Sequence, residues 1–154
     1  MKIYFSVDPE AGGESVENLK KLMKFLQDQG HTVYRASYIF SKNQNLFLQK
    51  ELGLNREPTN VEHGEAHIKW IDNADLLLAD LSIPSEGRSM IIQRAIERQE
   101  MGMPKIPIVL FKGKKFDRKY GVMIKGLIES GKVTYYEYEN IDEVVKNWPK
   151  LIKK

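Results

Sequence analysis

The stretch Ala74-Asp75-Leu76-Leu77-Leu78-Ala79-Asp80-Leu81-Ser82-Ile83-Pro84-Ser85-Glu86-Gly87 decides the fold. Its first half, Ala74 to Ala79, is almost continuously apolar, as expected of a central strand buried on both faces. Its second half opens a helix that runs to about Gln99, with Ser85 as N-cap candidate and Glu86 as an acid in the first turn. A buried strand that passes directly into a capped helix is half of a βαβ unit.

The same alternation extends in both directions. Upstream, Lys2 to Ser6 reads as a strand. Val16 to Gln29 reads as a helix, with Leu19, Leu22, Met23, Phe25 and Leu26 at helical spacing and Gly30 as a stop. His31 to Tyr34 is a short strand, Phe40 to Leu54 a weaker helical stretch, and Thr59 to Asn73 a helix with Val61, Ala66, Ile68, Trp70 and Ile71. Downstream, Ile106 to Phe111 is a strand preceded by Pro104, and a basic loop, Lys112 to Lys119, follows it. Met123 to Glu129 is a short helix closed by Ser130-Gly131, Val133 to Glu137 a strand, and Ile141 to Ile152 a last helix. The last strand, Val133-Thr134-Tyr135-Tyr136-Glu137-Tyr138, is the more polar one, as an edge strand should be. Strands alternating with helices predict an α/β three-layer sandwich around a five-stranded parallel sheet in the order 2-1-3-4-5. With no repeat, linker or low-complexity segment, residues 1–154 read as a single domain.

Composition removes several classes of function. The chain is 42% hydrophobic and 29% charged, which excludes disorder. A net charge of +3 over 154 residues is weak steering for nucleic acid, and no nucleic-acid partner is expected. The absence of cysteine removes disulfides, thiolate-held metals and clusters, and a cysteine nucleophile together. Met1-Lys2-Ile3-Tyr4-Phe5 enters a strand without an apolar leader, and Leu76 to Ala79 and Ile106 to Phe111 are too short to span a bilayer. A cytoplasmic protein with no membrane partner is expected.

Parallel sheets of this kind bind ligands outside the carboxyl ends of their strands. Three loops are therefore expected to line a site: Ser6 to Glu14, Asp80 to Met90, and Lys112 to Tyr120. In the first, Gly12-Gly13 either lets backbone amides approach a ligand or is a flexible turn before a helix. The loop has neither a Walker pattern nor GxGxxG, and Asp8, Glu10 and Glu14 make it acidic. In the second, the helix N-terminus with Ser85, Gly87 and Ser89 either favours an anion or polar ligand or is only a capped helix. The third is either a solvated basic loop or an anion-facing rim. His63 and His67 stand at i, i+4, but the pattern is not HExxH and no third ligand is evident, so no metal is expected. His31 reads as structural.

Trp70-Ile71-Asp72-Asn73-Ala74-Asp75 together with the stretch that opens this section resembles the signature of the nucleoside 2-deoxyribosyltransferase family, and within it the 2′-deoxynucleoside 5′-phosphate N-hydrolase branch. Ile3-Tyr4-Phe5, Gly12-Gly13, Met123-Ile124-Lys125-Gly126 and the acidic junction between last strand and last helix fall in the same order, so the resemblance covers nearly the whole chain. It implies a flavodoxin-like α/β sandwich that cleaves or exchanges N-glycosidic bonds through a glutamate nucleophile, without a cofactor, commonly as a homodimer whose partner completes each site. Ligand contacts are then expected from Tyr4, Ser6, Asp8, Gly12 and Gly13, and from Asp80, Ser85, Gly87 and Ser89.

The departures from that family are specific. Aligned from Pro84-Ser85-x-Gly87, the nucleophilic glutamate falls at Ile91, which cannot act as nucleophile, acid or base. The nearest acid further along that helix is Glu97, six positions on. The aspartate of the preceding helix falls at His67, the phosphate-binding stretch reads Val7-Asp8 with Glu10, and the partner-supplied serine reads Gly121. The expectation is a protein that binds a nucleoside- or nucleotide-like ligand with the usual chemistry lost or rewired, a possible pseudoenzyme. The alternative is an active N-glycosidase or transferase using a non-standard acid, with Asp80 or Glu86 nearest. A receiver- or flavodoxin-like module is a further alternative. It is weakened because Asp8 is only a partial match to a receiver's acidic pair and no hydroxyl-rich phosphate loop is present.

Overall fold

Five parallel strands form one sheet in the order β2-β1-β3-β4-β5, flanked by helices: an α/β, flavodoxin-like architecture. The computed structural model describes residues 1–8, 14–34, 40–41 and 43–152. In chain order the elements are β1 (Lys2–Ser6), α1 (Val16–Asp28), β2 (Thr32–Tyr34), α2 (Gln44–Glu51), α3 (Asn60–Asp72) and β3 (Leu76–Asp80). They continue with α4 (Glu86–Glu97), β4 (Ile108–Gly113), α5 (Val122–Glu129), β5 (Thr134–Tyr138) and α6 (Ile141–Leu151). No helix among the described residues is long and apolar enough to cross a membrane.

The central strand behaves as its sequence predicts. All five residues of β3 are buried, because β1 and β4 pair with it on either side and helices cover both faces. α1 packs on α6, and α3 packs on α4. α1 buries Leu19, Leu22 and Leu26, and α6 buries Ile141, Val144, Trp148 and Leu151, both at helical spacing. Side-chain caps fix the helix starts: Ser15 accepts from the Asn18 amide, and Thr59 and Glu62 form a reciprocal capping box on α3.

Boundaries of two elements differ from the sequence reading for identifiable reasons. β4 starts at Ile108 rather than Ile106, because Pro107 has no N–H to give to the ladder and contributes only its carbonyl, to Leu77. It continues to Gly113 because β5 pairs with it through Lys112 and Gly113. The helix expected over Phe40 to Leu54 is confined to Gln44–Glu51, begun by an Asn43 cap on the Leu46 amide.

The pleat assigns side chains to faces. Tyr4 reaches α3, so the β1 and β3 residues in phase with it, Ser6 and its partner Ala79, point to the α3–α4 side. Tyr136 binds Asn147 of α6, and Phe111 and Asp80 share its register, so Asp80 points to the α1–α6 side.

Candidate functional site

A cleft of about 390 Å³ opens at the carboxyl ends of the strands, on the α3–α4 side. β1 and the residues after it bring Tyr4, Ser6, Val7 and Asp8 to it. α3 contributes Gly64, His67 and Ile68, the first turns of α4 contribute Ser85, Gly87, Arg88, Met90 and Ile91, and α2 adds Gln44. Five expected contact residues, Tyr4, Ser6, Asp8, Ser85 and Gly87, thus line one cleft with the two positions singled out by the resemblance, His67 and Ile91.

Its polar groups are held from behind. The buried Tyr4 hydroxyl lies 2.9 Å from His67 Nδ1. His67 meets Trp70 edge-on at 5.2 Å between ring centroids, and the Trp70 indole donates to Glu51 at 3.2 Å. Ser85 Oγ accepts from the Arg88 amide and caps α4. The loop before it is gripped by two guanidiniums. Arg88 Nη1 donates to the Ile83 carbonyl at 2.8 Å, and Arg118 Nη1 donates to the carbonyls of Leu81 and Ile83. These charge-assisted bonds fix the turn that aims α4 at the cleft.

Other expected residues lie elsewhere. Asp80 is 0% exposed and points to the opposite face, one pleat position beyond Ala79, which is on the α3–α4 side of the sheet. Its Oδ1 accepts from Ser82 N at 2.9 Å and Ser82 Oγ at 2.5 Å, while Oδ2 has no partner among the described residues. Burial pushes its pKa up, against the pull of the two Ser82 bonds and the Arg88 charge. Ser89 is turned to solvent, its hydroxyl on the Ser85 carbonyl one turn back, and Glu86 is exposed. Neither lines the cleft. Gly12, Gly13 and Glu10 lie outside the described residues.

No residue of the third loop lines the cleft, and three of its lysines are paired along the sheet edge. Lys112 pairs with Glu137 at 2.9 Å and Lys114 with Glu139 at 2.9 Å. Lys115 reaches the buried Glu14 at 2.8 Å, so an acid of the first loop neutralises a base of the third. His63 and His67 do not converge: His63 Nε2 faces Asn45 at 3.0 Å and His67 faces Tyr4. No metal-binding cluster is found among the described residues.

Glu14 gathers donors from three parts of the edge. Ser15 N, Asn18 Nδ2 and Lys115 Nζ donate to Oε1, and the Tyr138 hydroxyl donates to Oε2 at 2.9 Å. Burial works to raise its pKa, but the Lys115 ammonium and the other donors outweigh it and hold the carboxyl below its usual 4.5. Such a group adds stability that is complete above about pH 4.5 and fades as pH falls through the lower folded-state value. Glu14→Gln is expected to cost about 2 kcal/mol at pH 7. Urea titrations of the two proteins should converge progressively as pH falls below 4.5; a gap that does not shrink in acid contradicts the charged network.

Gln44, Gly64 and Ile68 lie outside the three expected loops and were not legible as cleft residues, while Arg88 and Met90 fall in the second loop without having been singled out. An arginine in a first helical turn reads as solvent-facing, yet Arg88 is buried and its carbonyl contact turns it inward. Gln44 comes from the helix with the weakest apolar pattern. Spacing from Ser85 is the one signal that points to Arg88.

No protein-family model matches the sequence, and no curated protein matches it. Among solved structures, the fold matches the CMP N-glycosidase BcmB of Clostridium botulinum with a TM-score of 0.65, over 97% of this chain and 98% of that one, at 19% identity. That likeness establishes a shared architecture along the full length of both chains.

Proposed function

We propose that the cleft binds a nucleoside- or nucleotide-like ligand and that the carboxylate-nucleophile chemistry of the resembling family is lost or rewired in this chain. One observation carries the reading. Ile91, where the family's glutamate would stand, is 7% exposed and forms part of the cleft wall, so the reactive position is apolar rather than displaced. The single carboxylate among the described lining residues is Asp8, and the acids considered as substitutes, Asp80 and Glu86, are absent from the lining. The volume is of nucleoside size, and the lining mixes apolar walls with a few directed polar groups, as small-molecule sites do. The full-length likeness to a CMP N-glycosidase supports this class of ligand. The reading includes a homodimer, supported by α5, which buries no residue completely and leaves Val122 84% and Met123 75% exposed.

Thermal shift with nucleosides and nucleoside 5′-phosphates tests the proposal. A ligand at a hundred times its Kd stabilises by about 2.7 kcal/mol, or roughly 5–11 °C for a chain of this size. We expect such a shift with at least one compound and no base release by chromatography. No shift with any of them overturns the binding reading, and base release by the unaltered protein overturns the loss of chemistry.

A further inference from the structure

The charged groups of the cleft are few, and they differ in what they already face. Arg88 is buried, donates to the Ile83 carbonyl, and lies within electrostatic reach of the buried Asp80 carboxyl. The His67 ring has Nδ1 on the Tyr4 hydroxyl. Asp8 stands at the end of β1, partly exposed to the cleft, and among the described residues no donor or cation meets its carboxylate. Its charge is therefore presented to whatever enters.

The size of the cleft makes that charge decisive. Asp8 and the start of α4 line the same cleft of about 390 Å³, so a ligand that fills it meets the Asp8 carboxylate directly, at a range too short for salt to screen. A carboxylate that loses water to a ligand needs a donor in return. Sugar hydroxyls and exocyclic amines are donors, whereas a phosphate ester near neutral pH offers acceptors and up to two negative charges. The Ser85-capped start of α4 offers partial positive charge, and the guanidinium it carries, Arg88, is buried with Nη1 on the Ile83 carbonyl and the Asp80 charge within reach.

We infer that Asp8 makes the cleft selective for an unphosphorylated nucleoside, accepting a hydrogen bond from a ligand hydroxyl or amine and rejecting a phosphate ester. This rests on the nucleoside reading proposed above and narrows it to one substrate class.

The test is a matched titration of the four deoxynucleosides, their 5′-monophosphates and inorganic phosphate against the unaltered protein, Asp8→Asn and Asp8→Ser. The unaltered protein should bind a nucleoside at least tenfold more tightly than its own monophosphate. Both variants should keep the parent melting temperature and reduce that ratio at least tenfold. Equal or tighter binding of the monophosphate, or a ratio unchanged in both variants, overturns the role of Asp8 and leaves the nucleoside reading standing. No binding of any nucleoside or monophosphate overturns both.

Discussion

Arg98→Met is expected to lower the melting temperature by roughly 6–12 °C. α3 ends at Asp72, so its last carbonyls have no partner within the helix. Arg98, buried at the end of α4, supplies donors from a distant part of the chain. Nη1 donates to the Ala74 carbonyl at 2.8 Å and the Ile71 carbonyl at 3.2 Å, and Nη2 donates to the Asp72 carbonyl at 3.3 Å. A guanidinium also complements the negative end of the α3 dipole. Methionine keeps the apolar stem and removes the guanidinium donors to the Ala74 and Asp72 carbonyls, while Ile71 keeps the Ala74 amide; the loss is about 3 kcal/mol, and each kcal/mol moves the midpoint of a chain this long by about 2–4 °C. Arg98→Lys should fall between, because one ammonium cannot reproduce the planar fork. A melting temperature within 2 °C of the parent for Arg98→Met contradicts this assignment. The connection also reaches function, since it ties the two helices that wall the cleft.

Ile91→Glu is expected to give the protein base-releasing activity on a deoxynucleoside at least tenfold above the unaltered chain, equivalent to about 1.4 kcal/mol off the barrier. The side chain at 91 already forms part of the cleft wall, so the substitution changes chemistry without changing its place. A carboxylate there attacks the anomeric carbon as the base departs, and water then releases the sugar from the ester. Burial raises the pKa of the new glutamate, so activity should fall at low pH as the nucleophile is protonated. Ile91→Gln, nearly the same shape without charge, should release no base. If neither Ile91→Glu nor Ile91→Glu with His67→Asp exceeds the parent, position 91 is not where the sugar lies.

The architecture could be read from the sequence because its decisive element is a run of five apolar or strand-end residues with only one burial state available to it. The β4 boundary was less legible, since the apolar pattern starts at Ile106 but the ladder waits for the first N–H beyond Pro107. Ser6, Asp8, Ser85 and Gly87, at the bases of loops, line the cleft where the rule that parallel sheets bind at their carboxyl ends places them. Asp80 satisfies the same rule by sequence position yet faces away, because a shift of one residue along a strand changes the face of the sheet. The lysines of the third loop likewise sit at the correct edge, but their partners Glu14, Glu137 and Glu139 come from other segments and were invisible to spacing. Position along the chain identifies the edge of the sheet, while pairing decides which groups there still face a ligand.

The decisive measurement is a methyl-resolved NMR titration of the unaltered protein with an unphosphorylated deoxynucleoside. Ile91 and Ile68 line the cleft, whereas Ile141 sits on α6 across the sheet. Saturable shifts at the Ile91 and Ile68 methyls, with Ile141 unmoved, are the predicted result. A titration that leaves Ile91 and Ile68 unperturbed, or that centres its changes on Ile141, would contradict a nucleoside site in this cleft.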